Sequence, residues 1–267
     1  MPKNEIYTAC LILIGNELLS GRTQDKNLAV IAKGLNDMGI RMMAAHVIPD
    51  VRETIIQTIN TVRAEYDYVF TTGGIGPTHD DITTECVAKA FGVKTYVDPE
   101  TAQLLRARVE SRGEEMNDAR LRMATFPVGA ELLKNEISVA PGYKLENVFV
   151  MAGVPKIMQM MFEEAKSHLK GGETVKSRGI AIDLGEGTIA DPLANLQDRY
   201  PMLDIGSYPQ MRENVGFRVS LVLRGIDEEI LDQAHAELMA ILEDLGGKPI
   251  EEDPEKSQGS AGPDING

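Results

Sequence analysis

Along its first third the chain alternates short apolar, β-prone runs with segments whose apolar residues recur every three or four positions. Tyr7 to Ile14 is nearly all apolar, as a strand buried on both faces requires. Leu28, Ile31, Ala32, Leu35 and Met38 then fall on one helical face, closed by Gly39. Ile40 to Val47 predicts a second strand, and Ile55, Ile56, Ile59 and Val62 mark the inward face of a second helix. Tyr68 to Thr71 predicts a third strand, with a helix from Thr83 to Phe91 behind it. Such alternation predicts an α/β fold of three layers, a parallel, doubly wound sheet between helices.

Farther on, Pro99 to Arg122 reads as helical and heavily charged, and "FPVGAELLKNEISVAPGY" as a loop-rich segment. Val148 to Met151 predicts another sheet strand, and a helix starts at Pro155, with Met158, Met160 and Met161 as core filler. The pair Gly171-Gly172 suggests a boundary between a domain over residues 1–170 and a smaller α+β domain over 173–250. In that second domain strands are expected at Val175 to Ile182, Leu203 to Tyr208 and Val215 to Leu223. Helices are expected at Ile189 to Arg199 and from Asp227, as N-cap, to Leu245. The stretch 251–267, "EEDPEKSQGSAGPDING", is expected to be a disordered tail.

The formal net charge of −14 repels the phosphate backbone, so nucleic acid is excluded as a partner. An anionic small ligand then needs backbone amides, Lys, Arg or a bound cation. No apolar run approaches the roughly 20 residues of a membrane helix, and the N-terminal run lacks a cleavage site. A cytoplasmic protein without membrane association is expected. Cys10 and Cys86 each sit in an apolar run and read as buried thiols.

"TTGGIGPTHDD", Thr71 to Asp81, follows the third strand. It fails the dinucleotide pattern G-x-G-x-x-G, because His79 stands where the last glycine belongs. "GNELLSGRT" fails the Walker pattern in spacing and in having Arg22 for lysine. Gly73, Gly74 and Gly76 nonetheless permit positive φ and close approach, letting N–H groups point at one anion. Asp80 and Asp81 lie at the start of the next helix, where an acid is a good N-cap. A sharper reading has one of them cap the helix while the other holds Mg²⁺ or another hard cation. Glu17, Asp25 and Asp50 follow the first two strands, so successive strands feed acids to one edge. His46, His168 and His235 have no partners at zinc-ligand spacing, and Ser20 lacks a nucleophile elbow.

Thr71, Thr72, Gly73, Gly74, Gly76, Asp81 and Thr83 match position by position the hallmark T-T-G-G-x-G-x-x-x-x-D-x-T. On those residues the chain resembles the molybdopterin-binding (MoCF-biosynthesis) family. "GNELLSGRTQDKN", "FPVGAELLKN", "APGY" and "GVP" narrow the resemblance to its CinA-like branch. "IGSYP" at Ile205 to Pro209 is similar to the region following this domain in CinA-like proteins and eukaryotic FAD synthases. The resemblance implies either binding of molybdopterin or divalent-metal-dependent cleavage of nucleotide pyrophosphates such as ADP-ribose or FAD. It implies catalytic and metal roles for Asp50 and Asp81, with Asp80 beside them. Ligand contacts are implied for Thr72, Gly73, Gly74, Gly76 and Thr83. From the first loop it implies Glu17, Ser20, Gly21, Asp25 and Asn27. The family's "PGVPxEM" stands here as "AGVPKIM", so Ala152 and Ile157 replace a proline and a glutamate whose role does not carry over. The NMN deamidase activity of full-length CinA proteins is expected to be absent, and homo-oligomerisation is expected.

Three functions follow as expectations. The leading one is a metal-dependent nucleotide pyrophosphatase using Mg²⁺, Mn²⁺ or Co²⁺, with Lys144 and Arg22 adding positive charge. The rivals are a pterin-phosphate binding protein in molybdenum-cofactor biosynthesis and a regulatory module without chemistry.

Overall fold

The structure, a computed structural model, describes residues 6–209 and 219–254. The chain divides into two compact units, residues 1–173 and 174–267. The first unit runs β1 (Tyr7–Ile14), α1 (Asn16–Leu19), α2 (Asn27–Asn36), β2 (Ile40–Ile48), α3 (Arg52–Glu65), β3 (Tyr68–Thr72) and α4 (Thr83–Ala90). It continues with β4 (Thr95–Val97), α5 (Pro99–Glu110), α6 (Asp118–Leu121), a 3₁₀ turn (Arg122–Ala124), β5 (Thr125–Pro127), β6 (Glu131–Leu133), β7 (Gly142–Leu145), β8 (Val148–Met151) and α7 (Pro155–Lys166).

β1 shows why its sequence has no polar alternation. Its Cys10, Ile12 and Ile14 face Ile55, Ile59 and Val62 of α3 and Cys86 and Val87 of α4. Ala9, Leu11 and Leu13 face Ile31 and Leu35 of α2 and Met158, Met161 and Phe162 of α7. Side chains of a strand alternate between faces, so helices on both sides demand apolar residues at every position. Each fully buried Leu, Ile or Phe contributes about 1.5–3 kcal/mol of transfer free energy. The three methionines do not act alike: Met158 and Met161 are core filler, whereas Met160 lines an open surface groove.

The sheet order is β2-β1-β3-β8-β7-β6. β2, β1, β3 and β8 are mutually parallel, as the alternation predicts. β7 and β6 add an antiparallel edge. β5, β6 and β7 fall largely within the stretch whose sequence reads as loop-rich, and β4 in one given no element, because strands of three or four residues give no usable period.

In the second unit β9 (Lys176–Ile182), α8 (Glu186–Arg199), β10 (Asp204–Pro209), β11 (Val219–Gly225), α9 (Glu228–Asp244) and β12 (Ile250–Glu252) follow. The sheet β10-β11-β9-β12 is antiparallel throughout, and its core joins Ile180, Ile182, Leu221 and Leu223 to Leu231, Leu238 and Leu242 of α9. This is the expected α+β arrangement. Asp227 caps α9, accepting from the amides of Glu229 (3.0 Å) and Ile230 (3.1 Å). One expectation is corrected: the tail does not begin at Glu251. Ile250 and Glu251 pair with Ala181 and Ile180, and the Ser220 hydroxyl donates to Glu252 at 2.6 Å. The expected strand residues Val215 to Arg218, and the tail beyond Pro254, lie outside the described residues. No described helix is long and apolar enough to cross a membrane.

Candidate functional site

Parallel pairing fixes where the loops emerge. Leu13 stands opposite Val47 and Thr72, and Thr72 opposite Met151. β1, β2, β3 and β8 therefore end at one edge, where Gly15, Asp50, Gly73 and Gly153 follow. The chain leaves β1 toward β2 on one side and returns through β3 on the other, so a topological switch point lies between β1 and β3. Open α/β sheets take ligands at this crevice.

The loop after β3 is anchored at its start. The Gly73 amide donates to the Met151 carbonyl at 3.1 Å, extending the sheet by one bond. Thr83 returns the chain: its amide donates to the Gly74 carbonyl at 2.9 Å and its buried hydroxyl to the Gly73 carbonyl at 3.1 Å. Gly73 and Gly74 have φ of 102° and 69°, both left-handed. A methyl group on either would meet Ile14 O at 2.2 Å or Thr83 Oγ1 at 2.1 Å, and one on Gly76 would meet Asp81 Oδ2 at 2.6 Å. The close approach that the glycines allow is thus of the chain to itself. Among the described residues the amides of Gly74, Ile75 and Gly76 have no protein acceptor, so three of the four amides from Gly73 to Gly76 remain for an anion.

The adjacent acids correct the capping expectation. α4 begins at Thr83 behind Ile82, and neither Asp80 nor Asp81 caps it. Both carboxylates turn instead to Thr78. The Thr78 amide donates to Asp81 Oδ2 at 2.8 Å, and its hydroxyl donates to Asp80 Oδ1 at 2.7 Å and also to Asp81 Oδ2. The Thr78 bond holds the Asp80 carboxyl below the usual range.

Asp50 is in the opposite condition. Burial pushes its carboxyl up, the bond from the Asn16 amide (2.9 Å) opposes this, and the charges of Glu17 and Asp80 push it up further. Glu17, Asp50 and Asp80, from the loops of three different strands, therefore share one electrostatic neighbourhood. Glu17 folds back over Gly15, its carboxylate filling the space a side chain there would need.

The other first-loop residues divide. Asp25 accepts from the amides of Asn27 (3.2 Å) and Leu28 (2.9 Å), so its carboxylate is spent on the first turn of α2, one position before the N-cap residue Lys26. Asn27 is buried and donates to the Gly153 carbonyl at 2.9 Å, tying α2 to the loop after β8, while its Oδ1 has no partner among the described residues. The Ser20 hydroxyl donates to the Glu17 carbonyl at 3.2 Å, and Gly21, with φ 71°, faces open space. Thr72 is buried at the end of β3. Lys144 does not supply free positive charge: it is bound by Glu131 at 2.7 Å across β6 and β7, which lowers the Glu131 carboxyl.

Sequence reasoning missed three contributors. Thr78 was legible in principle, since a hydroxyl residue three positions before an acid is a local turn pattern. Asn16 acts through its backbone amide, which no side-chain motif announces. Arg122 donates to the carbonyls of Pro77 (2.9 Å) and Thr78 (3.3 Å) from a distant part of the chain. Among the described residues no three His, Cys, Asp or Glu side chains gather as a ready metal cage.

Among the described residues, free amides and clustered acids meet at the switch point of a doubly wound sheet, the usual place for a small-molecule ligand in an α/β protein. The chain belongs to the family described as the probable molybdopterin binding domain, which matches residues 10–170. It is CinA-like: a crystal structure described as the protein CinA with unknown function, from Thermoplasma acidophilum, superposes with a TM-score of 0.56 at 28% identity. That match covers 61% of this chain and 98% of the other. Residues 174–246 match the FAD synthase middle domain. A protein from Archaeoglobus fulgidus is 32% identical over 238 residues, covering 88% of this chain and 97% of its own length. A probable FAD synthase from Caenorhabditis briggsae is 28% identical over 91% of this chain, which spans about half (51%) of that synthase.

Proposed function

We propose that this protein hydrolyses the diphosphate linkage of a nucleotide such as ADP-ribose or FAD, with a divalent cation (Mg²⁺, Mn²⁺ or Co²⁺) at the edge of the first unit's sheet. The observation that carries the reading is a pair of opposite needs at one place. Among the described residues, three amides without protein acceptors stand on the loop that also carries Asp80, and the partly buried Asp50 carboxyl, raised first by burial and then by the charges of Glu17 and Asp80, lies beside them with the Asn16 amide at 2.9 Å. A diphosphate answers the first need and a cation the second.

The donor set fits such a cation. Carboxylate oxygens are hard ligands, and Mg²⁺ is commonly held by one or two carboxylates together with phosphate oxygens, without an all-protein cage. Asp50 and Asp80 would hold it. Asp80 and Asp81 each spend one oxygen on Thr78, but of the two it is the charge of Asp80 that reaches Asp50, so Asp81, expected as a ligand, is left to shape the turn. When bound, the cation neutralises charge developing on the phosphates. The chain does the rest: the Gly74, Ile75 and Gly76 amides bind and orient one phosphate. Glu17 takes the proton from the attacking water. A new P–O bond forms to the water oxygen, the bridging P–O bond breaks, and the leaving phosphate keeps the electron pair.

A second reading, binding of a pterin phosphate in the same crevice without hydrolysis, is favoured by the description of the family that matches residues 10–170. Incubation with ADP-ribose, FAD and NADH in each of the three cations, following AMP release, separates the two. Turnover that is lost on chelation supports the hydrolase. No turnover with any combination, alongside tight pterin binding, refutes it in favour of the second reading.

A further inference from the structure

We propose that Arg122 is the positioning residue of the glycine turn, and that through it the α5–α6 excursion sets the turn's affinity for phosphate. The inference rests on the reading of that turn as a phosphate site.

The loop is tied at both ends by its own neighbours. At the start, Gly73 and Gly74 are fixed by Met151 and Thr83. At the far side Thr78, Asp80 and Asp81 bond among themselves, and the Ile82 amide closes on the Asp80 carbonyl at 2.9 Å. Between the two knots lie Ile75, Gly76 and Pro77. Ile75 packs into both cores of the unit, but among the described residues the stretch makes no backbone hydrogen bond to β1 or β3. Among the described residues, the only hydrogen bonds reaching this span and Thr78 from outside the loop come from Arg122.

One terminal guanidinium nitrogen bridges two successive carbonyls. Fixing those carbonyls fixes the peptide planes of the turn, and with them the direction of the neighbouring amides. An arginine is suited to this because its planar fork keeps two donors on one nitrogen in a set geometry. The remaining guanidinium nitrogens of Arg122 have no protein acceptor among the described residues. They hold positive charge beside the turn in a chain of net charge −14, where an approaching diphosphate otherwise meets Asp80, Asp81 and Glu17. Arg122 follows α6 directly, so movement of the α5–α6 segment would be felt at the turn.

The test compares the full-length protein with Arg122→Ala and Arg122→Lys. Hydrogen exchange of peptides covering residues 73–82 reads the turn, and titration with inorganic pyrophosphate reads anion affinity. In Arg122→Ala, exchange in that segment is expected to rise about tenfold and pyrophosphate affinity to fall about tenfold, the scale of one net charge-assisted bond. Peptides from β1 and β3 should exchange as in the parent. Arg122→Lys, which keeps the charge and can reach one carbonyl, should recover part of both. If the parent turns substrate over, Arg122→Ala should raise KM more than it lowers kcat. Unchanged exchange and unchanged pyrophosphate affinity in Arg122→Ala overturn the proposal. The exchange measurement needs no turnover, so a parent protein without hydrolase activity sinks the hydrolase reading and leaves this test standing.

Discussion

Gly74→Ala is the substitution with the most computable consequence. Gly74 sits at φ 69°, and a Cβ there would lie 2.1 Å from Thr83 Oγ1 and 3.1 Å from Thr83 Cβ. Holding an alanine in the left-handed region costs about 1 kcal/mol. Thr83 is fully buried and must swing its hydroxyl away, losing the 3.1 Å bond to Gly73 O and leaving a buried polar group unpaired, about 2 kcal/mol. The sum is about 3 kcal/mol. For a unit of this size that lowers Tm by about 6–12 °C, read by calorimetry as the transition of the first unit. Gly21→Ala is the control. Its φ is 71° but nothing lies within 4 Å, so only the backbone cost applies and Tm should fall by about 2–4 °C. Thr83→Ala removes the colliding oxygen. In that background Gly74→Ala should cost about 1–2 kcal/mol less than in the parent. Equal shifts for Gly74→Ala and Gly21→Ala, or additive costs in the Thr83→Ala background, would refute the steric reasoning.

Asp50→Asn should abolish turnover while leaving the protein at least as stable at neutral pH. The Asp50 carboxyl is raised in the folded state, so its contribution favours folding at low pH and is lost as pH rises through the folded pKa. The stability of the parent relative to Asp50→Asn should therefore decline from about pH 4 upward, the ordinary Asp pKa, and a flat difference between pH 4 and 7 contradicts the assignment. In the second unit, Asp227→Ala removes the acceptor for the Glu229 and Ile230 amides and should destabilise that unit by about 1 kcal/mol, measurable as a shift in its urea midpoint.

What the sequence made legible follows from how far apart the determinants lie. β1 was readable because burial on both faces leaves its mark residue by residue, and Gly39 closed α2 with the left-handed φ of 70° that its identity suggested. The loops after β1, β2 and β3 could be assigned to one edge because parallel order forces it. Which acids then meet is another matter. Asp80 and Asp81 are adjacent in sequence and both bond Thr78, yet of the two only the charge of Asp80 reaches Asp50. Side-chain direction within a turn depends on φ and ψ that sequence pattern does not specify. Asp25 was legible as an acid near a loop, but its carboxylate is spent on two amides in the first turn of α2. Arg122 left no local signal, because its contact to Pro77 is created by the path of α5 and α6.

The glycine-rich motif itself carries two explanations that geometry can separate. If the glycines served only a ligand, their missing side chains would face open space, as at Gly21. At Gly73, Gly74 and Gly76 they face Ile14, Thr83 and Asp81, so the residues are required before any ligand arrives. The two explanations join through the backbone. Bringing β1's end and α4's start against the turn leaves no room for Cβ atoms on one side, and the amides of Gly74, Ile75 and Gly76 are left without acceptors among the described residues. Loss of activity in a glycine variant would then report a damaged fold as readily as a lost phosphate contact. The variants that speak to chemistry are those at Asp50 and Arg122, where a side chain can change while the path of the turn does not depend on a missing Cβ.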